Sequence, residues 1–343
     1  MRPTLDRILI CRTDNIGDVV LTLPLAGYLK ARFPQLRIDL LCRAYVAPAM
    51  RHCRFLDRVV AVEEAGDLPA FFAQGGYDTV IFAYPDRRLA RAAKQARVPN
   101  RVGTSHRLYH WMTCNRLAHF SRVKSDLHEA QLNFALLRPL GIDHVPALAE
   151  IPALYGLAAP RSAAADALLT PGRRHIILHP KSNGNGREWP LVRYTALARE
   201  LAAVPEITLF VTGSAAEGAL LAQQAPGLLA LPNVVDVCGK LDLDGLLALI
   251  GACDGLVASG TGPLHLSAAL GRPTLGLFPP VKPIHPARWG ALGTRAEVLC
   301  TSQPCPGCAD PAACACMLAI TPQEVAARVH AWGTQTARRE ERA

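Results

Sequence analysis

Three short segments combine residue types that can grip a phosphorylated substrate or move a proton. In Arg12-Thr13-Asp14-Asn15-Ile16-Gly17-Asp18, Asp18 lies near an expected helix start, where a carboxylate serves either as a general base or as a helix cap. In His179-Pro180-Lys181-Ser182-Asn183-Gly184-Asn185-Gly186-Arg187-Glu188-Trp189-Pro190, Lys181 and Arg187 supply cations for phosphate oxygens, and the glycines let backbone approach a ligand closely. The plainer reading of that segment is a flexible basic loop. In Ser259-Gly260-Thr261-Gly262-Pro263-Leu264-His265, a strand ends in a glycine turn and a helix begins near Pro263. Thr261 and Gly262 would then offer free N–H groups and the positive end of a helix to a diphosphate. His265 falls in the first helical turn, as a ligand contact or as a packing residue.

Two further patterns suggest metal chemistry. Cys305, Cys308, Cys314 and Cys316 lie within twelve residues, and thiolates so placed can enclose a tetrahedral zinc ion. The C-x-C pair is tighter than usual, however, and buried or locally cross-linked thiols are the preferred reading. Asp242-Leu243-Asp244 has the D-x-D form of metal-dependent sugar transferases, but it directly precedes a helical run, where capping explains it better. A nicotinamide site would need G-x-G-x-x-G after the first strand, and that turn holds only Gly17.

These segments need elements to position them. Apolar runs at 7–12, 37–42, 58–62 and 78–83 read as buried parallel strands, with a helical pattern over 18–32. The pattern restarts at 175–180 and continues at 207–213, 234–237, 255–258 and 273–278, after a Pro- and Ala/Ser-rich stretch at 160–171. Strands alternating with helices imply parallel sheets covered on both faces. Two such halves would place ligands in a cleft at the carboxyl ends of their strands. The expected divisions are 1–165, 166–320 and a terminal helix with a charged tail over 321–343. That helix starts at a capping box, Thr321-Pro322-Gln323-Glu324.

The 343 residues suit two domains, and 50% hydrophobic with 19% charged residues argues against disorder. No uninterrupted apolar run is long enough to span a membrane, and residues 1–7 carry no apolar core of a signal peptide. Eleven cysteines, an odd number, do not suggest a disulfide framework, so a cytoplasmic location is expected. The net charge of +9 is uneven: residues 1–165 hold 22 Lys/Arg against 14 Asp/Glu, and residues 87–124 carry ten basic and no acidic residues. His106, Tyr109, His110, Trp111 and Phe120 are interleaved there. Such a stretch suits a polyanion, or it is a solvated helix face and loop.

Together the segments resemble glycosyltransferase family 9, the bacterial lipopolysaccharide heptosyltransferases, over nearly the whole chain. The markers are Arg12-Thr13-Asp14-Asn15-Ile16-Gly17-Asp18-Val19 with Leu23-Pro24, then Arg187-Glu188-Trp189-Pro190, then Thr261-Gly262-Pro263-Leu264-His265-Leu266 with Ala268-Ala269-Leu270-Gly271, and finally Cys316-Met317-Leu318-Ala319-Ile320-Thr321-Pro322. The resemblance implies an α/β fold of GT-B type, two Rossmann-like domains facing a central cleft. It also implies metal-independent, inverting transfer of heptose from ADP-heptose to the lipopolysaccharide inner core, with no cofactor. It casts Asp18 as catalytic base, Arg187 as a phosphate contact, and Thr261, Gly262 and His265 as donor contacts, which the residue reading extends to Lys181 as a second phosphate cation.

The N-terminal half would hold the anionic acceptor, with Arg101, Arg107 and Arg116 on its surface, in peripheral contact with the cytoplasmic face of the inner membrane. A nucleic-acid partner is not expected, because it would leave two phosphate-type turns unexplained. The chain departs from the family at Gly260, where members carry an Asp that contacts sugar hydroxyls. A relative using a different nucleotide sugar, or an idle relative that binds a sugar nucleotide or polyanion, therefore stays open.

Overall fold

The computed structural model describes residues 5–182, 184, 186–305, 307 and 314–340. The chain forms two compact units, Met1–Ala158 and Ala159–Ala343. The first contains β1 (Arg7–Cys11), β2 (Arg37–Cys42), β3 (Arg58–Ala61), β4 (Thr79–Phe82), β5 (Asn100–Thr104) and β6 (Arg116–Ala118), ordered β3-β2-β1-β4-β5-β6. The second contains β7 (Arg174–His179), β8 (Ile207–Val211), β9 (Val234–Asp236), β10 (Gly255–Ser259), β11 (Thr274–Phe278) and β12 (Ala296–Cys300), ordered β12-β11-β10-β7-β8-β9. Every pairing is parallel. Counted from its own first strand, each sheet has the same order. The chain reverses direction across the sheet between β1 and β4 and again between β7 and β10, which is where open α/β sheets hold ligands.

The central strands are apolar because helices cover both faces: Ile8, Leu9, Ile10 and Cys11 of β1, and Ile176, Ile177 and Leu178 of β7, are essentially inaccessible. The edge and outer strands differ. β5 (Asn-Arg-Val-Gly-Thr), the three-residue β6 and the half-exposed β12 lack a continuous apolar run, so the hydrophobic pattern alone does not announce them. The expected helix over 18–32 is two helices, Ile16–Val20 and Leu23–Arg32. Pro24 has no N–H to offer the Val20 carbonyl, so the first helix stops and a second begins from Thr22.

The stretch 160–171 is not a bare linker. It contains the helix Ala163–Asp166, capped by Ser162, and it packs against the helix Leu243–Ala252. The helix Pro322–Glu340 starts from the expected capping box, with Thr321 Oγ1 and Glu324 Oε2 2.8 Å apart. Val325, Ala326, Val329 and Trp332 bury its inner face in the second core, beside Leu197 and Leu201 of the helix Leu191–Leu201. Trp332 lies where Gly255 would carry a side chain, since a Cβ there would come within 2.3 Å of the indole. Among the described residues no helix is long and apolar enough to cross a membrane.

Candidate active site

In the first unit the polar turn after β1 is built around Arg12, which is 3% exposed. Its guanidinium donates from Nε to Asp14 Oδ1 at 2.8 Å, from Nη2 to Asp18 Oδ1 at 2.6 Å, and from Nη1 to the Ala83 carbonyl at 3.2 Å and Asn133 Oδ1 at 3.4 Å. A third carboxylate, Glu129 Oε1, lies 3.5 Å from Nη1 and 3.2 Å from Nε of Arg122. Burial works against the charge on Arg12, but Asp14, Asp18 and Glu129 outweigh it and hold the group firmly protonated. Asn133 ties the turn to the next helix, donating to the Leu21 carbonyl at 3.0 Å and to Thr22 Oγ1 at 3.3 Å.

The Asp18 side chain does not cap a helix. The cap position of Ile16–Val20 is Asn15, and the carboxylate of Asp18 turns to Arg12 while only partly buried. Of the two sequence readings of Asp18, capping is thereby removed. The partners Glu129 and Asn133 lie 117 and 121 residues further along the chain, so no local pattern could reveal them.

Asp14 is pushed up to about 6: burial raises it, the Arg12 contact opposes that, and the nearby Asp18 charge adds to the rise. The sign for stability follows. Between its ordinary value of 3.8 and about 6 the folded chain keeps a proton that the unfolded chain has lost, so this group's contribution to stability is lost as pH rises through that window. Asp14→Asn, whose Oδ1 still accepts from Arg12, removes that loss. Urea denaturation from about pH 4 to 7 should show the variant gaining on the parent as pH rises to about 6; a constant difference would refute the assignment.

In the second unit the turns after β7 and β10 meet. Trp189 is fully buried, donates its backbone N–H to Ser259 Oγ at 3.1 Å and its indole Nε1–H to the Ile320 carbonyl at 3.1 Å, and stacks edge-on against Tyr194. A Cβ on Gly186 would lie 3.3 Å from the Gly260 carbonyl, so the two glycine turns run side by side. Glu188 folds the loop back on itself, accepting from Lys181 Nζ at 2.6 Å, the Ser182 N–H at 2.8 Å and the Ser182 hydroxyl at 3.1 Å. Lys181 is thus engaged by a carboxylate, which the sequence reading did not foresee. Arg187 follows Gly186 on the same loop and is partly exposed. Asn183 and Asn185 lie outside the described residues.

Thr261 occupies the cap position of the helix Gly262–Ala269 without making a side-chain cap bond. Its Oγ1 is buried with no hydrogen-bond partner among the described residues. A buried hydroxyl at a helix start, whose first N–H groups have no partner within the helix, is suited to an anionic oxygen, because leaving such donors unsatisfied carries a cost. His265, one turn in, is buried. The Ser259 hydroxyl is buried and accepts the Trp189 backbone N–H. Phe278 fills the space at Gly260: a Cβ there would meet the ring edge at 3.0 Å.

The three arginines expected on an acceptor surface separate. Arg101 lies in the amino-terminal half of β5, toward the sheet edge opposite Asp18, and donates from Nε to the Thr113 carbonyl at 2.8 Å and from Nη1 to the Val98 carbonyl. Its burial lowers its basicity. Arg116 binds Asn100 Oδ1 at 3.3 Å and the Pro139 carbonyl at 3.4 Å. Both brace the fold through Nε and Nη1. Arg107, exposed before the helix Leu108–Thr113, keeps a solvent-facing position.

Of the cysteine set, Cys308 lies outside the described residues. Cys314 and Cys316 are buried in the second core, with Cys305 packed against it. Among the described residues no three His, Cys, Asp or Glu side chains gather as a metal site would require. Asp242 caps the helix Leu243–Ala252 by accepting the Gly245 N–H at 2.8 Å.

Comparison with known proteins bears on the family and the fold. Residues 74–314 match the model of glycosyltransferase family 9 (heptosyltransferase). Lipopolysaccharide heptosyltransferase 2 of Escherichia coli is 26% identical over 304 residues, covering 81% of this chain and 84% of that protein. The solved E. coli ADP-heptose heptosyltransferase II superposes with a TM-score of 0.76 at 22% identity, covering 97% of this chain and 100% of that one. A family 9 glycosyl transferase from Veillonella parvula gives 0.77 at 19% identity, covering 96% and 98%. These structures share the GT-B fold, and the chain belongs to glycosyltransferase family 9, the heptosyltransferase family.

Proposed function

We propose that the protein transfers a heptose from ADP-heptose to the inner core of lipopolysaccharide, with inversion and without a metal ion, in the cytoplasm at the inner membrane. Asp18 takes the proton of an acceptor hydroxyl as its oxygen bonds to the anomeric carbon. The bond from that carbon to the diphosphate breaks, and the ADP departs carrying the electron pair. Such a base contributes about 10²–10⁴-fold. Arg187, the N–H groups at the start of Gly262–Ala269 and the Thr261 hydroxyl stabilise the charge growing on the diphosphate. Lys181, held by Glu188, and His265 complete the donor surface, and Arg107 faces the acceptor.

The observation that carries this reading is the Thr261 hydroxyl, buried at a helix start and unbonded among the described residues, with the Arg187 loop running alongside. Metal independence is supported by the D-x-D aspartate Asp242, whose carboxylate is engaged in capping. Calorimetric titration of ADP-heptose, ADP, UDP and GDP tests the donor. ADP-heptose should bind selectively, and Arg187→Ala should weaken turnover by about 10²–10³-fold, the usual loss for one preorganised donor to a developing anion. Unaltered turnover in the variant would remove Arg187 from this role.

A different nucleotide sugar is the second reading, favoured by the Gly260–Phe278 contact, which puts an aromatic ring against the position where the family resemblance implies a carboxylate. Preference for UDP or GDP in the same titration would select it.

A further inference from the structure

Five of the twelve large apolar side chains exposed among the described residues fall between positions 108 and 127: Leu108, Trp111, Met112, Val123 and Leu127. Leu108 and Val123 are the most exposed of all, at 86% and 89%. Leu108, Trp111 and Met112 share one face of the helix Leu108–Thr113, at spacings of three and four residues, while His110 and Thr113 turn inward. Trp111 is held outward by a bond from its indole N–H to the Ser105 carbonyl at 2.9 Å, and its ring lies edge-on to His119. The Lys94 ammonium clasps the Met112 carbonyl at 2.7 Å.

This apolar face has a cationic rim. Residues 87–124 contain no acidic side chain, the exposed Asp126 is the one carboxylate of the 119–127 connection, and Arg87, Arg88, Arg91 and Lys94 on the outer face of the helix Arg87–Gln95, with Arg107 and Lys124, all reach solvent. A groove of about 340 Å³ runs between the 119–127 connection and the next helix, lined by Phe120 and Leu127 together with Lys124 and Arg138. Exposed aromatic and aliphatic side chains ringed by lysine and arginine match the boundary of an anionic bilayer, where rings and alkyl groups enter the headgroup layer and cations face lipid phosphates.

We infer that the helix Leu108–Thr113 and the 119–127 connection form a surface that rests on an anionic lipid bilayer, with Leu108, Trp111, Met112 and Val123 inserted among the headgroups. The topology gives the contact a purpose. In a parallel sheet, the segments leaving β1, β5 and β6 emerge at one end, so the starts of this helix and of the 119–127 connection lie at the same end of the sheet as Asp18, two and three strands away. A sugar carried on a lipid in that bilayer would be presented along that end toward Asp18. That last step rests on the proposed acceptor; the bilayer contact does not.

The test is sedimentation of the full-length protein with sucrose-loaded vesicles of phosphatidylcholine, with and without phosphatidylglycerol. The parent should bind the anionic vesicles and bind the neutral ones weakly. A triple Leu108→Ser, Trp111→Ser, Met112→Ser variant should lose about tenfold or more in partitioning while keeping its circular dichroism melt and its turnover on a soluble, delipidated acceptor. Brominated lipid should quench Trp111 fluorescence in the parent. Failure of the parent to bind either vesicle, or equal binding by the variant, would overturn the surface. Vesicle binding without transfer to any lipopolysaccharide acceptor would leave the surface standing and sink the proposed function instead.

Discussion

Asp18→Asn should lower kcat by about 10²–10⁴-fold while leaving ADP-heptose affinity unchanged. The substitution is close to isosteric, and the asparagine Oδ1 still accepts from Arg12 Nη2, as the carboxylate does at 2.6 Å. The Thr22 hydroxyl bonds to the backbone oxygen of residue 18, not to its side chain, so the junction between the two helices is untouched. Arg12 keeps Asp14 and Glu129 as counter-charges. The loss should therefore appear in turnover and hardly at all in the melting curve. Turnover within about tenfold of the parent would show that another group takes the proton.

Arg12→Ala should act on the fold itself. The guanidinium is the common partner of three carboxylates, one of which, Glu129, is 1% exposed. Without it Asp14 and Asp18 lose their counter-ion, and the Ala83 carbonyl and Asn133 lose a donor. Removing one member of a buried ion cluster typically costs about 3–5 kcal/mol. A fall of that size in urea-derived stability is expected, with partial recovery in Arg12→Lys, which restores the charge but not the fork of donors. A loss below about 1 kcal/mol would mean that water or Arg122 readily replaces the guanidinium.

The turn after β1, the loop after β7 and the glycine turn after β10 were all legible, because each couples a buried apolar strand to a local cluster of glycines and charges. The caps at Asp242 and Thr321 were legible for the same reason: a cap is a contact between near neighbours. β6 and β12 were not, since short or edge strands need few apolar residues; β5, paired on both sides, was not because Asn100, Arg101 and Gly103 break its apolar run. The part played by Arg12 was hidden for a different reason. Its charge was visible, but three of its partners come from distant segments, and only the folded sheet brings Ala83, Glu129 and Asn133 to it. Composition could not show position in the basic stretch: Arg101 and Arg116 bond to main-chain carbonyls and a side-chain amide within their own unit.

The indole bond from Trp189 to Ile320 spans 131 residues and closes behind the loop that carries Lys181 and Arg187. On a ribosome that loop emerges long before its fastener, while every strand of the first unit is already available for pairing. Domains made first generally fold first. The half of the enzyme that carries Asp18 should thus mature during synthesis, and the Arg187 loop should set only after residue 320 has cleared the exit tunnel. The nascent chain would then hold the turn proposed to accept the proton in place before the loop proposed to grip a nucleotide.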